Sequence, residues 1–268
     1  MNIKRIFVDM DGTLLNSQGR VSKSNADLIR QAQIPVTLVS ARSPMEMREA
    51  IEALDLSDVQ VGFNGGLIYR WQNGCVQPLH AEVIQQQTTA EILHQVRKHF
   101  PFVSLSYYDL NNWYCDKIDE GIRYEYELTK CQPTFITDGT IFLKGGINIF
   151  KIMMITFEEE TMQILEKFLQ SLSIKAVSIQ RSGKFYLEIT HAHAKKSKGI
   201  NYIFKKEKLS KTTTAAFGDG YNDIPMLEIV GYPIVMENAM ADIKTIAYQV
   251  TKSNDDDGVG YGIHQFLK

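Results

Sequence analysis

A chain of 268 residues, of which 44% are hydrophobic and 22% are charged, has enough apolar material for two compact domains. Its formal net charge of −2 excludes the basic footprint that is typical of proteins binding nucleic acid or an acidic membrane surface. The three cysteines, Cys75, Cys115 and Cys131, lie far apart without metal-ligand spacing, so we expect neither a disulfide framework nor a zinc site among them.

The N-terminal segment and the cysteine usage together indicate a cytoplasmic location. Lys4 and Arg5 lead directly into a short strand-like run, so the sequence does not predict a signal peptide. The apolar stretches are too short to span a membrane, and free thiols are typical of a reducing cytosol. We therefore expect a cytoplasmic protein without membrane or nucleic-acid partners, either monomeric or weakly homodimeric.

The first portion of the chain alternates strand and helix signals. Apolar and β-branched runs predict strands at 6–8, 36–40 and 59–63, and helical periodicity predicts helices at 25–33 and 44–54. Alternation of this kind requires crossover connections, so it favours a mainly parallel sheet.

The middle of the chain has a different pattern, in which neighbouring strands are joined by short turns. The predicted helices are 88–100, 120–129 and 158–171, and the predicted strands are 103–108, 113–115, 150–157, 176–180 and 185–190. This arrangement is typical of an α+β module rather than of a doubly wound sheet.

Parallel α/β character returns after residue 190. The predicted helices are 196–206, 224–229 and 239–245, and the predicted strands are 213–217, 233–236 and 249–251. We therefore predict an α/β protein whose Rossmann-like parallel-sheet core domain, residues 1–82 and 187–268, is split by an inserted α+β domain, residues 83–186.

Two aspartates, Asp9 and Asp11, follow the first predicted strand in the segment DMDGT. Residues i and i+2 of a strand project to the same side, so both carboxylates point off the carboxyl end of the strand, where open α/β sheets bind ligands. A divalent cation keeps two neighbouring carboxylates ionised, and oxygen ligands favour Mg²⁺. The alternative interpretation is a simple strand exit in which Asp11-Gly12 forms a turn.

Two further strand ends carry polar groups that suit the same site. The segment FGDGYND follows another predicted strand and supplies Asp219, Asn222 and Asp223. Ser40 and Ala41 lie between a strand and a helix, where a hydroxyl and free backbone N–H groups are suited to an anion. The three strand ends together predict a site for a metal ion and a phosphate group.

In combination, these motifs resemble those of the haloacid dehalogenase superfamily of aspartate-nucleophile phosphatases. DMDGT matches the first motif of that family, Ser40 the second, a lysine within 195–198 the third and GDGYND the fourth. The position and size of the insert resemble the Cof-type branch, which carries a large α/β cap of the C2B type. The resemblance extends over essentially the whole chain, and four motifs in this order make it specific.

The resemblance implies a chemical role for each carboxylate. Asp9 would attack phosphorus and form an aspartyl-phosphate. Asp11 would protonate the leaving oxygen and then accept a proton from the hydrolytic water. Mg²⁺, which offsets the repulsion between carboxylate and phosphate, would be held by Asp9, the Asp11 carbonyl and Asp219, with Asp223 binding it or orienting its ligands.

The resemblance also implies which groups hold the phosphate oxygens: the Met10 N–H, Ser40, the Ala41 N–H, Asn222 and a lysine. Lys196 precedes the apolar Ile200 by four residues and shares its inward stripe. Lys198 lies roughly 200° around the helix from Ile200 and is expected to face away. We therefore predict Lys196 as the phosphate lysine, with Lys198 as the alternative because its Lys-Gly pair is common in this branch.

Four further positions, Ala41, Arg42, His191 and His193, call for separate interpretations. Ala41 stands where the family usually has Gly, and we expect tolerance because the backbone N–H is retained. Arg42 is predicted either to form a structural ion pair or to contact the substrate. His191 and His193, two apart in a linker-like stretch, are expected to be exposed residues rather than metal ligands.

The predicted function is that of a Mg²⁺-dependent phosphatase acting on a small phosphorylated metabolite, with a sugar phosphate as the expected class. The insert is expected to cover the site and to contact the organic part of the substrate. A phosphomutase or phosphotransferase using the same aspartyl-phosphate is the alternative enzyme. A catalytically silent phosphometabolite-binding regulator is the other alternative, but it predicts loss of Asp9, Asp11 or Asp219, all of which are present.

Overall fold

The computed structural model of the protein describes residues 1–72, 74–136 and 147–268. Contacts within the chain divide it into two compact units. The first unit comprises Met1–Arg42, Met47–His80 and Lys195–Lys268, and the second comprises Ser43–Glu46 and Ala81–Ala194.

The secondary structure is numbered in chain order. The strands are β1 (Arg5–Val8), β2 (Val36–Leu38), β3 (Val59–Gly62), β4 (Leu67–Gln72), β5 (Cys75–Ala81), β6 (Ser104–Tyr108), β7 (Trp113–Cys115), β8 (Pro133–Phe135), β9 (Lys151–Ile155), β10 (Val177–Arg181), β11 (Tyr186–His191), β12 (Thr214–Gly218), β13 (Tyr232–Val235) and β14 (Gln249–Val250). The α-helices are α1 (Lys23–Gln31), α2 (Pro44–Ala53), α3 (Gln86–His99), α4 (Glu120–Thr129), α5 (Glu159–Ser171), α6 (Lys196–Glu207), α7 (Ile224–Leu227), α8 (Ala241–Lys244) and α9 (Gly258–Gly262).

The first unit is built on a parallel sheet with the strand order β14-β13-β12-β1-β2. Val8 at the end of β1 lies opposite both Phe217 and Leu38, so the carboxyl ends of β12, β1 and β2 are level. An isolated parallel bridge between Val39 and Val61 brings β3 next to this edge, and β3 pairs antiparallel with β4. Loops from four strands therefore start from one edge of the sheet.

Apolar side chains from one face of this sheet pack with α6 in a core of the first unit. Phe7 on β1 and Ala216 on β12 are fully buried, and they cluster with Ile200 and Ile203 of α6. The spacing of these two isoleucines along α6 defines the buried stripe of that helix. Since the stripe anchors α6 on the sheet, it also determines which side chains of the first helical turn face inward.

The second unit contains a sheet with the order β10-β11-β9-β6-β7-β8, antiparallel except for the β7–β8 pair. One face of this sheet, including Leu105, Ile152 and Ile189, packs in a core with apolar residues of α3 and α5. Ser104 lies on the opposite face, where its Oγ accepts a hydrogen bond of 3.1 Å from the Gly121 N–H at the start of α4.

This architecture confirms the predicted fold class, an α/β core with an additional α+β unit inserted in the chain. The second boundary of the insert lies later than the predicted 186/187. Strand β11 pairs with β9 over Tyr186–Thr190, so these residues belong to the sheet of the second unit. The hairpin-forming strands β4 and β5, which the sequence patterns do not predict, extend the first unit. Among the described residues, no helix is both long and apolar enough to cross a membrane.

Candidate active site

Asp9 lies directly beyond the end of β1, where its N–H continues the ladder by donating to the Phe217 carbonyl at 3.0 Å. Its side chain is buried, and the residue is 4% exposed. The Met10 carbonyl then accepts hydrogen bonds from the N–H groups of residues 13–15, which closes a tight turn. Gly12 adopts a φ of 75° in this turn, a conformation that favours glycine.

The turn after β1 also holds Asp219, which follows β12. The Thr13 hydroxyl donates to Asp219 Oδ1 at 2.8 Å. A Cβ atom on Gly12 would overlap the Asp219 carboxylate, so the absence of a side chain at residue 12 allows this close approach. The two strand ends are therefore joined by direct contact between their loops.

Lys196 lies in the first turn of α6 and points into the same site. Its Nζ donates to Asp9 Oδ1 and, at 2.7 Å, to Asp223 Oδ1. The residue is 2% exposed, whereas Lys198 is exposed. The structure thus places Lys196, and not Lys198, at the carboxylates, as the helical period predicts.

Asp223 is fixed by hydrogen bonds to both of its carboxylate oxygens. While Oδ1 accepts from Lys196, Oδ2 accepts from the N–H groups of Asp219 and Gly220 at 3.1 and 3.0 Å. Asp223 is fully buried, and a side chain at Gly218 would overlap it. These contacts orient the GDGYND loop and turn the Asp219 carboxylate towards the end of β1.

Burial and like charges perturb the titration of the carboxylates. Burial, followed by the charge of Asp223, raises the pKa of Asp9 well above its ordinary value, although Lys196 opposes the shift. Burial raises the pKa of Asp219 to about 6, against the hydrogen bond from Thr13. The pKa of Lys196 is also raised, because the charges of Asp223 and Asp9 outweigh the effect of burial.

The donor set fits a hard divalent cation. One carboxylate oxygen from each of Asp9, Asp219 and Asp223 lies within 4.8 Å of the other two. Three carboxylates face a single ammonium group here, so a cation would offset both the burial and the like charges that raise the pKa of Asp9. All the ligands are oxygen atoms, as Mg²⁺ prefers.

The third strand end carries Ser40, Ala41 and Arg42. Ser40 is fully buried, and its hydroxyl accepts a hydrogen bond of 3.1 Å from the Arg42 N–H. The Arg42 guanidinium binds both oxygens of Asp11, with distances of 2.9 Å from Nε to Oδ2 and 2.6 Å from Nη2 to Oδ1. Of the two interpretations of Arg42, the structure shows the ion pair.

The predicted site residues therefore differ in where the structure places them. Asp9, Asp219, Asp223 and Lys196 form one contiguous cluster. The Asp11 side chain is 57% exposed and is paired with Arg42 rather than with the cluster. The remaining predicted residues lie around the cluster: Asn222 is exposed on the turn before Asp223, Ala41 is half-buried, and the Met10 side chain is buried.

Two asparagines that the motifs did not single out as site residues support the site. Asn238 Nδ2 donates to the Gly12 carbonyl at 2.7 Å and so fixes the loop after β1. Asn64 has a φ of 56°, and its N–H donates to the Ser40 carbonyl at 2.8 Å. Its buried Oδ1 has no hydrogen-bond partner among the described residues. The Asn64-Gly65 turn at a strand end is a visible sequence signal, whereas the position of Asn238 is not.

Comparison with known proteins agrees with this geometry. Residues 6–263 match the family model of the haloacid dehalogenase-like hydrolases. A Haemophilus influenzae relative with a provisional phosphatase name is 30% identical over 263 residues, 97% of this chain and 96% of its own length. The 5-amino-6-(5-phospho-D-ribitylamino)uracil phosphatase YwtE of Bacillus subtilis is 26% identical, over 99% of this chain and 98% of its own.

Solved structures share the complete fold. A haloacid dehalogenase-like hydrolase from Bacteroides thetaiotaomicron has a TM-score of 0.87 at 23% identity and covers 98% of this chain and 99% of its own. The HAD subclass IIB sugar phosphatase BT4131 has a TM-score of 0.81 at 21% identity, with coverage of 98% and 99%. Because the family model matches residues 6–263 and the relatives are named phosphatases, the chain belongs to the haloacid dehalogenase-like hydrolase family and is a phosphatase.

Proposed function

We propose that the protein is a Mg²⁺-dependent phosphatase that hydrolyses small phosphorylated metabolites through an aspartyl-phosphate on Asp9. The observation that carries this proposal is the contact of Lys196 with both Asp9 and Asp223, beside Asp219. The Lys196 ammonium group and the carboxylates of Asp219 and Asp223 converge on the buried Asp9 carboxylate at the edge of the sheet. This is the environment that a carboxylate nucleophile requires in order to approach an anionic phosphate.

Asp9, Asp219, Asp223 and the Asp11 carbonyl are the proposed holders of Mg²⁺. When bound, the ion supplies positive charge that offsets the repulsion between the carboxylates and the phosphate. Asp223 acts mainly by orientation, because its two oxygens already accept hydrogen bonds from Lys196 and the loop N–H groups. Thr13 orients Asp219 in the same way from the opposite loop.

In the first step, a carboxylate oxygen of Asp9 attacks phosphorus as the bond between phosphorus and the leaving oxygen breaks. Lys196 holds the Asp9 carboxylate in one orientation and balances the negative charge. Asp11 gives a proton to the leaving oxygen, which departs as an alcohol. In the second step, Asp11 accepts a proton from water as the water oxygen attacks phosphorus, which restores the Asp9 carboxylate and releases inorganic phosphate.

Arg42 is proposed to hold Asp11 between these steps. Its guanidinium makes a two-point contact with the exposed Asp11 carboxylate, while Ser40 Oγ accepts the Arg42 N–H. Such a fork restricts the carboxylate to one plane without burying it. When substrate binds, its leaving oxygen would replace Arg42 as the partner of the Asp11 carboxylate. Asp11 would then be placed for proton transfer.

Sugar phosphates are the proposed substrate class. Two Bacillus subtilis relatives, YwtE and YcsE, are named phosphatases of a phosphoribitylamino-uracil, which carries a polyhydroxylated chain.

The proposal is tested by measuring phosphate release from p-nitrophenyl phosphate and from a panel of sugar and polyol phosphates. We expect activity with Mg²⁺, loss of activity in EDTA, and no turnover in Asp9→Asn. Hydrolysis in ¹⁸O-labelled water should place one labelled oxygen in the released phosphate. A phosphomutase would instead return the phosphoryl group to an organic product without releasing labelled phosphate, and that outcome would replace the proposed reaction.

A further inference from the structure

We propose that Glu82, His191 and His193 form a second metal site, which takes a divalent transition metal ion of the zinc class. Glu82 follows β5, His191 is the last residue of β11, and His193 lies two residues later. One ligand atom from each of the three side chains lies within 4.8 Å of the other two. The cluster shares no residue with the acidic site, and the inference goes beyond the proposed phosphatase reaction.

The spacing of the ligand atoms fits a tetrahedral metal better than it fits a hydrogen bond. His191 Nδ1 and Glu82 Oε2 are 3.4 Å apart, which is longer than the roughly 2.7–3.2 Å of an ordinary N–H···O bond. Zinc ligands lie about 2.0–2.2 Å from the ion, so two of them at a tetrahedral angle are about 3.3–3.5 Å apart. The gap between the two side chains therefore has the width of one bound ion.

The hydrogen bonding of His191 identifies the ring nitrogen that presents a lone pair to this cluster. The His193 backbone N–H donates to His191 Nδ1 at 3.2 Å, so this nitrogen acts as an acceptor and carries no proton. The nitrogen also faces a carboxylate oxygen of Glu82, which is a second acceptor. A metal ion bound here would replace the His193 N–H at this lone pair, and the adjacent Glu82 carboxylate would supply negative charge to it.

The surroundings leave room for solvent ligands. The side chains of His191 and Glu82 are 20% and 18% exposed, and His193 is exposed. The two imidazole rings meet edge to face, with centroids 5.0 Å apart, so both rings belong to one cluster. Two imidazoles and one carboxylate form a ligand set that suits Zn²⁺, with water completing the coordination.

The site also has a defined place in the chain. The chain passes between the two units at His80–Ala81 and again at Ala194–Lys195. Glu82 lies just after the first crossing, and His193 lies just before the second. A metal ion bound to both would cross-link the two ends of the long segment of the second unit and stabilise the folded protein according to its concentration relative to its dissociation constant.

The test titrates the full-length protein with Co²⁺ in excess Mg²⁺ and records visible absorption. We expect one equivalent of Co²⁺ with the intense bands of tetrahedral coordination, and displacement of that Co²⁺ by Zn²⁺. Competition with a chromogenic chelator should show Zn²⁺ binding weakened at least about tenfold in Glu82→Gln and in His193→Gln. His94→Gln, which replaces an exposed histidine of α3, is the matched control and should bind as the wild type does.

Thermal unfolding with and without Zn²⁺ measures metal binding without relying on catalytic activity. Zn²⁺ should raise the unfolding temperature of the wild type and of His94→Gln, but not that of His193→Gln, whose exposed position makes misfolding a poor explanation. The proposal is overturned if the wild type does not bind the metal, or if both ligand variants bind it normally. It is equally overturned if Asp219→Asn abolishes the binding, because the metal would then belong to the acidic site.

Discussion

Lys196 and Asp9 are 187 residues apart in the sequence, and the Lys196 ammonium donates directly to the Asp9 carboxylate. Both residues are almost completely buried, and the same ammonium contacts Asp223. The contact places a positive charge where an attacking carboxylate and an incoming phosphate would otherwise repel each other. Several expected results follow from this arrangement and from the loops around it.

Replacing Lys196 by alanine should lower kcat/KM for p-nitrophenyl phosphate by about 10²–10³-fold, the usual effect of losing one preorganised charged donor. Lys198→Ala, two positions away and exposed, is the matched control and should stay within about twofold of wild type. Steady-state kinetics, with circular dichroism to verify folding, provide the measurement. A larger effect of Lys198→Ala would show that the inward orientation of Lys196 has no catalytic consequence.

Asp11→Asn should impair substrates with a poor leaving group far more than it impairs p-nitrophenyl phosphate. A sugar alkoxide needs a proton as it leaves, whereas p-nitrophenolate is stable without one, so only the first depends strongly on a general acid. Comparing kcat/KM, which reports the first step and not the hydrolysis of the intermediate, for the two substrates in wild type and variant measures the difference. An equal loss on both would contradict the proton-donor role and indicate a positioning role for Asp11 instead.

Gly12→Ala should weaken Mg²⁺ activation, because the new Cβ atom would displace the Asp219 carboxylate. Gly19→Ala is a close control, since Gly19 has nearly the same φ, 74° against 75°, but no atom within 4 Å of an added Cβ. Both variants carry the same backbone strain, and only Gly12→Ala carries the overlap. The Mg²⁺ concentration for half-maximal activity should rise several-fold in Gly12→Ala alone; equal values in both variants would exclude the steric explanation.

Asp58 should contribute a pH-dependent increment to stability. Burial raises its pKa, but the hydrogen bond at 2.5 Å and the charge of the buried Arg5 lower it more, so the net pKa is lowered. The stabilisation is therefore fully present above the unfolded-state value of about 3.9 and is lost as pH falls through the folded-state pKa.

The measurement is thermal unfolding of Asp58→Asn as a function of pH. At pH 7 the variant should melt about 1–3 °C below wild type, a small effect because the Asp58 side chain is 37% exposed. The difference should shrink as the pH falls below about 4, because the unfolded-state carboxyl then takes up a proton before the folded-state carboxyl does. Asp55→Asn, which removes an equal charge at an exposed position, is the matched control; the same curve for both variants would contradict a specific role of the Asp58–Arg5 pair.

Strong periodicity and motifs made much of this structure predictable. Helix α4 has the predicted bounds of 120–129, and the four-residue step from Lys196 to Ile200 correctly predicted which lysine faces inward. These features depend on local geometry, because helical period and strand alternation fix the direction of a side chain before any tertiary contact forms.

Features created by contacts between distant segments were not predictable. Strand β5 is mostly exposed and contains Pro78, so its pattern lacks the buried run by which strands are recognised. Asn238 acquires its role only when the loop after β13 meets the Gly12 carbonyl. Glu82 and His191 lie at the two ends of the inserted unit, and the sequence shows neither their proximity nor the 3.4 Å gap between their ligand atoms.

The most direct test of the central claim is to identify the phosphorylated residue during turnover. Wild-type protein mixed with substrate and Mg²⁺, quenched in acid and digested, should yield the peptide containing Asp9 with the mass of one added phosphoryl group. The modification should be absent in Asp9→Asn and should localise to Asp9 rather than to Asp11 by fragmentation. Turnover by the wild type without that adduct would contradict the assignment of Asp9 as the nucleophile. Retained hydrolysis in Asp9→Asn would contradict it as well.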